Sequence, residues 1–208
     1  MTSATPVEHI AGRRVLFIMA TDAEYGPALR ARIRVLNCGV GPVEAGVNSA
    51  TALAGTKVDL VVSLGSAGSA RLEHCAVYQA SHVAWRDIDA SKLGFPRGET
   101  PFAGIPARLP LPISLPGLPA ATLSTGADIV SGAGYARIAE DMVDMETWAI
   151  LRACMRHGRP LIALRGISDG QSELTGLKDW TDYLPIIDRK LAGAVDILAA
   201  ELHAGRLI

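Results

Sequence analysis

Apolar residues in this chain gather in short blocks more often than they alternate with polar ones. Val15 to Ala20 has no polar interruption, the pattern of a strand covered on both faces, and Ile33 to Cys38 and Val58 to Leu64 are read as a second and a third, mainly apolar strand. Gly39-Val40-Gly41-Pro42 stops the second block, and Pro42 presets the first turn of a helix. The alanine-rich run Val43 to Ala54 continues that helix and Gly55 ends it. Strand, helix, strand in this order predicts a mainly parallel sheet with helices on its faces. Ala76 to Trp85, with polarity roughly alternating, predicts a longer strand. Further strands are expected at Ala121 to Gly126, at Met142 to Met145 and from Leu161. Thr147 to His157 reads as a helix with Ala149, Ile150, Ala153 and Cys154 on one stripe, stopped by Gly158 and Pro160. A final helix is expected from Pro185 to His203, its buried face marked by Ile187, Leu191, Ala194, Val195, Leu198 and Leu202.

Two stretches break this rhythm. Met1 to Gly12 is polar and small, a frayed lead-in. Phe95 to Ala120 holds seven of the chain's 12 prolines and is excluded from regular helix or central strand. It is expected to be a long excursion within one domain spanning residues 1–208, because its flanks are too small to hold separate cores. Its apolar residues Phe102, Ile105, Leu109, Leu111, Ile113, Leu115 and Leu118 are expected at the surface, awaiting a partner.

Composition narrows the function. A hydrophobic content of 49% in 208 residues supports a sizeable core, and a net charge of -1 with 5% aromatics gives no footprint for nucleic acid or anionic membrane. Cys38, Cys75 and Cys154 are scattered, and Cys38 and Cys154 sit in apolar runs as core thiols of a reducing compartment. The histidines show no paired spacing, so neither a metal nor a cofactor is expected. No apolar run is long enough to span a bilayer. These features predict a cytoplasmic protein whose partner is a small molecule.

Three carboxylates follow short apolar runs: Glu24 in Met19-Ala20-Thr21-Asp22-Ala23-Glu24, Glu146 in Val143-Asp144-Met145-Glu146, and Asp169 in Arg165-Gly166-Ile167-Ser168-Asp169. Open α/β sheets hold ligands beyond the carboxyl ends of their strands, although an aspartate or glutamate there also serves as a helix cap or dipole partner. Gathered on one rim, the three suit cleavage of a bond between a sugar carbon and a nitrogen base. One acid protonates the leaving base, one carboxylate takes a proton from the attacking water, and one holds vicinal sugar hydroxyls. Asp169 suits the acid, Glu24 the base and Glu146 the clamp. Gly65-Ser66-Ala67-Gly68-Ser69 is expected to be a small-residue turn whose N–H groups approach a ligand. It matches neither a dinucleotide-binding fingerprint nor a P-loop.

These segments, with Gly39-Val40-Gly41-Pro42-Val43-Glu44-Ala45, occur in the order seen in the nucleoside phosphorylase/nucleosidase superfamily. The chain most closely resembles its bacterial 5′-methylthioadenosine/S-adenosylhomocysteine nucleosidases, from about Val15 to the last helix. The resemblance implies an α/β domain on a mixed, partly barrel-like sheet, a homodimer, and hydrolysis of 5′-substituted adenosines. It makes Glu24 the water-activating base, Asp169 the acid at purine N7 and Glu146 the ribose-hydroxyl ligand. Met145 would pack under the ribose, and the backbone of Ile129-Val130 would recognise adenine. Ser66 and Gly68 would lie near the ribose and the water, with Ser168 counted among the binding residues. Ala90–Leu93 and the proline-rich stretch would form the 5′ pocket, partly across the dimer.

The chain departs from that family where Ile129 replaces a stacking phenylalanine, where Thr21-Asp22-Ala23 replaces a glutamate-rich run, and where Gly170-Gln171-Ser172-Glu173 lacks a second aspartate. Phosphorylases of the superfamily carry an arginine where this chain has Ser63, which favours water over phosphate; Arg71 lies further on. A purine nucleoside phosphorylase and a non-catalytic nucleoside binder remain as alternatives.

Overall fold

The computed structural model describes residues 4–170, 172–173 and 175–207. Its strands are β1 (Glu8–Ile10), β2 (Arg13–Met19), β3 (Val35–Asn37), β4 (Leu60–Gly68), β5 (Val77–Trp85), β6 (Arg108–Pro110), β7 (Ala120–Thr125), β8 (Met142–Asp144) and β9 (Leu161–Asp169). The helices are α1 (Pro27–Arg30), α2 (Pro42–Gly55), α3 (Thr147–Arg156), α4 (Leu177–Thr181) and α5 (Leu184–His203). None is long and apolar enough among the described residues to cross a membrane. The two short helices α1 and α4 carry too few residues for a periodic signal, and the sequence pattern did not announce them.

The sheet is mixed rather than mainly parallel. β4 runs parallel to β2 and β9, and β7 runs parallel to β5 and β8. Antiparallel pairings of β4 with β8 and of β5 with β9 join these two groups, so β4–β8–β7–β5–β9 closes into a ring. This is the partly barrel-like sheet that the family resemblance implied.

The mainly apolar blocks follow from a core on each face. Val61, Ala163 and Ile167 pack with Leu53 of α2 and Ile150 and Leu151 of α3. The alternate residues Val62, Leu64, Ile162 and Leu164 pack with Leu191, Val195 and Leu198 of α5. Both sets of side chains on β4 and β9 are therefore buried, and no polar face is left to alternate. Gly166 lets α5 sit directly on β9: a Cβ there would stand 2.4 Å from Ile187 Cγ2.

Three expectations are corrected. Part of the lead-in is ordered, because β1 pairs antiparallel with β2 around Ala11-Gly12; Met1 to Ser3 lie outside the described residues. The segment Gly65–Gly68 is strand, held in the sheet by parallel pairing with β9 as far as Gly68. The apolar residues of the proline-rich stretch are mostly covered, with Leu109, Leu111 and Leu115 buried and Ile105, Ile113 and Leu118 packed against the cores. Gln79 of β5 supplies what prolines cannot. Its amide accepts from Leu115 N–H at 2.7 Å and donates to the carbonyls of Leu115 and Leu118. Only Phe102, at 94% exposure, stands out as expected.

Candidate active site

The carboxyl ends of the parallel strands β2, β4 and β9 meet on one rim. β2 leads into a single 3-10 turn, Asp22–Glu24, capped by the Thr21 hydroxyl, which accepts from Ala23 N–H. That turn swings Glu24 over β4, where both the N–H and the hydroxyl of Ser66 donate to Glu24 Oε1 at 2.7 Å. Trp180 of α4 completes this group, donating from Nε1 to Ser66 Oγ at 2.9 Å. The Ser66 N–H is thus taken by a carboxylate, and the Ser69 N–H by the Asp169 carbonyl. Gly65 to Ser69 is accordingly not an open nest for a ligand anion.

Asp169 owes its aim to an irregularity. The parallel register runs Ala67 to Ile167 and then Gly68 to Asp169, so Ser168 is an extra residue in β9. Such a bulge re-aims the side chain that follows it. Asp169 leaves the face on which Ile167 is buried, and its Oδ1 accepts from the Ser168 hydroxyl at 2.6 Å. Its Oδ2 accepts from the Tyr135 hydroxyl at 3.3 Å. Gly68 makes room for both groups: a Cβ there would lie 2.6 Å from Asp169 Oδ2 and 2.0 Å from Tyr135 Oη.

Glu146 is the N-cap residue of α3, directly after β8, and its Oε1 accepts from Gly41 N–H at 2.8 Å. Gly41 has a positive φ of 87° at the head of α2, a conformation open to glycine at little cost. Beneath Glu146, Asp144 and Arg165 form a buried pair at 3.0 Å. The Arg165 guanidinium also donates to the hydroxyls of Ser63 and Thr147 and to the carbonyls of Ser63 and Leu164.

Electrostatics ties these groups together. Burial pushes the Glu24 carboxyl up, while Ser66 and Arg165 pull it back and the Asp144 charge raises it further. Glu146 is pushed up to about 7, by burial first and then by the charges of Asp144 and Glu24, against the pull of Gly41 N–H and Arg165. Two nearby carboxyls in a dry site cannot both ionise freely. Cys38, buried close to both, is pushed up to about 12, as is Cys154 by burial. Both thiols stay protonated and inert near neutrality.

The remaining expected residues are distributed unevenly. Met145 is half-buried between β8 and α3. Ile129, 67% exposed, and Val130 line a neighbouring cavity of about 550 Å³ with Trp85, Arg86 and Asp128, and no carboxylate of the trio is in its walls. A link to the rim runs through the next turn, where Ser131 Oγ donates to Glu173 Oε2 at 2.8 Å and Tyr135 reaches Asp169. Gln171 lies outside the described residues. Sequence reading did not single out Asp144, Arg165, Tyr135 or Trp180. Two charged residues inside otherwise apolar strands were the available signal for the first pair; nothing local marked the aromatics.

No protein-family profile matches the chain. Among curated proteins, the 5′-methylthioadenosine/S-adenosylhomocysteine nucleosidase of Actinobacillus succinogenes is 27% identical over 223 residues, covering 98% of this chain and 92% of the relative. A Borrelia burgdorferi structure described as a nucleosidase of that kind, bound to adenine, superposes with a TM-score of 0.75 at 18% identity, over 89% of this chain and 99% of the other. A Helicobacter pylori variant of that enzyme with 5′-methylthioadenosine in its active site gives 0.76 at 18% identity, over 91% and 99%. The chain has the fold of the 5′-methylthioadenosine/S-adenosylhomocysteine nucleosidases and is similar in sequence to curated examples of them across nearly its whole length.

Proposed function

We propose that this protein hydrolyses the N-glycosidic bond of 5′-substituted adenosines such as 5′-methylthioadenosine and S-adenosylhomocysteine, releasing adenine and the 5-substituted ribose. The observation that carries the reading is the closeness of Glu24 and Glu146, both held above their ordinary pKa values, with Glu24 on Ser66 of β4 and Asp169 beside Gly68 of the same strand.

In the reaction, a water oxygen bonds to C1′ as the bond from C1′ to N9 breaks, and the bonding pair stays with the base. Asp169 gives its proton to N7, so adenine leaves neutral. Glu24 takes a proton from the water through Oε2, since Oε1 already accepts twice from Ser66. Solvent exchange then restores both groups. A base whose carboxyl burial pushes up from its ordinary value suits this step, and Glu146 holds the ribose hydroxyls with Met145 beneath the ring. Ile129-Val130 is assigned to the adenine side, with Ser66, Gly68 and Ser168 framing the ribose and the water.

Water is favoured over phosphate because the nearby guanidinium groups are occupied. Arg165 is spent on Asp144, Thr147, Ser63 and two carbonyls, and Arg71 donates to the carbonyls of Ile138, Ala139 and Glu140. A phosphate dianion needs such forks free. The proposal extends to a cytoplasmic homodimer serving methionine salvage.

Adenine release from 5′-methylthioadenosine, followed with and without phosphate, tests the reading. Free 5-methylthioribose at equal rates in both is the expected result, and a strictly phosphate-dependent ribose 1-phosphate would overturn it. Asp169→Asn and Glu24→Gln should each lower kcat by ~10²–10⁴-fold while nucleoside still binds. A wild-type rate in either variant would remove that residue's role, and binding without turnover by the native protein would point to a nucleoside carrier.

A further inference from the structure

The contact between α4 and the base is not explained by packing alone. Trp180 is half-buried, yet its indole N–H is spent on the hydroxyl of Ser66 at 2.9 Å. That hydroxyl has a single proton, and the proton goes to Glu24 Oε1 at 2.7 Å. Three groups from α4, β4 and the turn after β2 therefore form one directed chain, indole to hydroxyl to carboxylate.

We propose that Trp180 is a positioning residue for Glu24, acting through Ser66: its indole N–H occupies an acceptor site of the Ser66 oxygen, turns the hydroxyl proton onto Oε1 and leaves Oε2 as the oxygen that faces water. The inference deepens the hydrolase reading and, for its kinetic part, rests on it. A serine hydroxyl offers one donor and two acceptor positions. An N–H donated to its oxygen fixes the rotor and polarises the O–H, and each bond in such a chain strengthens the next. The ionised form of Glu24 gains from that strengthening, since a hydrogen bond to a carboxylate favours its charged state. The placement also makes the base depend on α4, which follows Asp169 closely in the chain. Acid and base are thereby supported by one stretch of polypeptide.

Other charges face Glu24 as well. They are Arg165 on β9, Asp144 on β8 and Glu146 at the head of α3. On α5, Asp188 accepts from the N–H groups of Ala28 and Leu29 just beyond the turn, and α4 itself carries Lys178 and Asp179. None of these changes in a Trp180→Phe variant, which keeps an aromatic ring and deletes only the donor.

The sign of the effect is set by Glu24 acting as an ionised base. Losing the polarised bond raises its pKa, so the acid limb of kcat/KM moves to higher pH. A shift of ~0.5 unit is expected, costing ~3-fold in rate on the acid side and little above pH 8. A purely structural role would lower the rate evenly at all pH values. In the Ser66→Ala background the further change to Phe should have no effect on the limb, because the relay is already cut.

A second measurement needs no turnover. The chain has three tryptophans, so ¹⁵N-indole spectra of the whole protein give three side-chain N–H signals, that of Trp180 being the one missing from the Phe variant. Its shift should titrate with the ionisation of Glu24 and become flat in both Ser66→Ala and Glu24→Gln. A Trp180 signal that is pH-independent in the wild type, or that titrates unchanged in Ser66→Ala, overturns the proposal. If adenine is not released but the indole signal behaves as expected, the hydrolase reading fails and the relay stands.

Discussion

Glu146 sits where burial and two carboxylate neighbours outweigh one backbone N–H and one buried arginine, so its pKa stands at about 7 against an ordinary 4.5. A carboxyl that holds its proton more tightly when folded stabilises the fold at low pH. The contribution is complete below the unfolded value and is lost as pH rises through the folded one. At about 1.4 kcal/mol per pKa unit, the loss between pH 4.5 and 7.5 is on the order of 2–3 kcal/mol. Glu24, raised by the same causes, adds in the same direction. Calorimetry of the ligand-free protein should therefore give a Tm that falls from pH 5 to pH 8, and Glu146→Gln should remove much of that slope. An unchanged slope in the variant would mean the carboxyl ionises freely. Gly68 is a second sensitive position, because an added methyl group collides with Tyr135 and Asp169 together. Gly68→Ala should keep its circular dichroism and lose ~10–100-fold in adenine release, as misplacement of an acid by about 1 Å costs that much. A fully active Gly68→Ala enzyme would show that Asp169 need not occupy the observed position.

The rim depends on elements whose ends are less regular than their middles. The middles of β2, β4 and β9 were readable, because a strand buried on both faces leaves an unbroken apolar block such as Val15 to Met19. The ends were not. Gly65-Ser66-Ala67-Gly68 has the composition of a turn, and only pairing with a distant partner, β9, makes it strand. The Ser168 bulge likewise has no local signature, since it is a mismatch between two strands and belongs to neither alone. The closed ring came from the family resemblance and not from the residue pattern, for the same reason: β5 to β9 and β4 to β8 are antiparallel contacts between remote segments. The carboxylates themselves were visible, because a charge at the end of an apolar run is conspicuous. Asp144 and Arg165 were the overlooked part of that signal. They tie β8 to β9 and to the head of α3, with Thr147 donating its hydroxyl to Asp144 and accepting from Arg165. Arg165→Met alone should cost ~3–5 kcal/mol in urea unfolding, by stranding a buried carboxylate, whereas the Asp144→Leu/Arg165→Met pair should recover much of it. Equal losses in the single and the double variant would mean that the pair adds nothing beyond its separate contacts.

For the molecule as a whole, the surface open to a second copy lies away from the proline-rich stretch. The proline-rich stretch was expected to present a row of apolar side chains, but tertiary packing absorbs all of them except Phe102, and Gln79 anchors the stretch from within. Exposed apolar side chains cluster before and along α2, at Val40 (55%), Val43 (71%) and Val47 (59%). Val43 and Val47 lie one turn apart on the same helical face, and Gly41, between Val40 and that helix, holds Glu146. A partner covering this face would therefore steady Glu146, the proposed ribose clamp, which gives the homodimer proposal a consequence for catalysis. Lysine at both Val43 and Val47 should place unpaired charge on the face and convert a dimer in sedimentation velocity to monomer. The same variant should lose ~10-fold or more in adenine release, mainly through KM because Glu146 is the proposed sugar ligand. The change should leave thermal unfolding two-state, since neither valine belongs to the core. A wild-type protein that sediments as a monomer while turning over at full rate would remove the second copy from the site, and Glu146 would then have to be held by Gly41 alone.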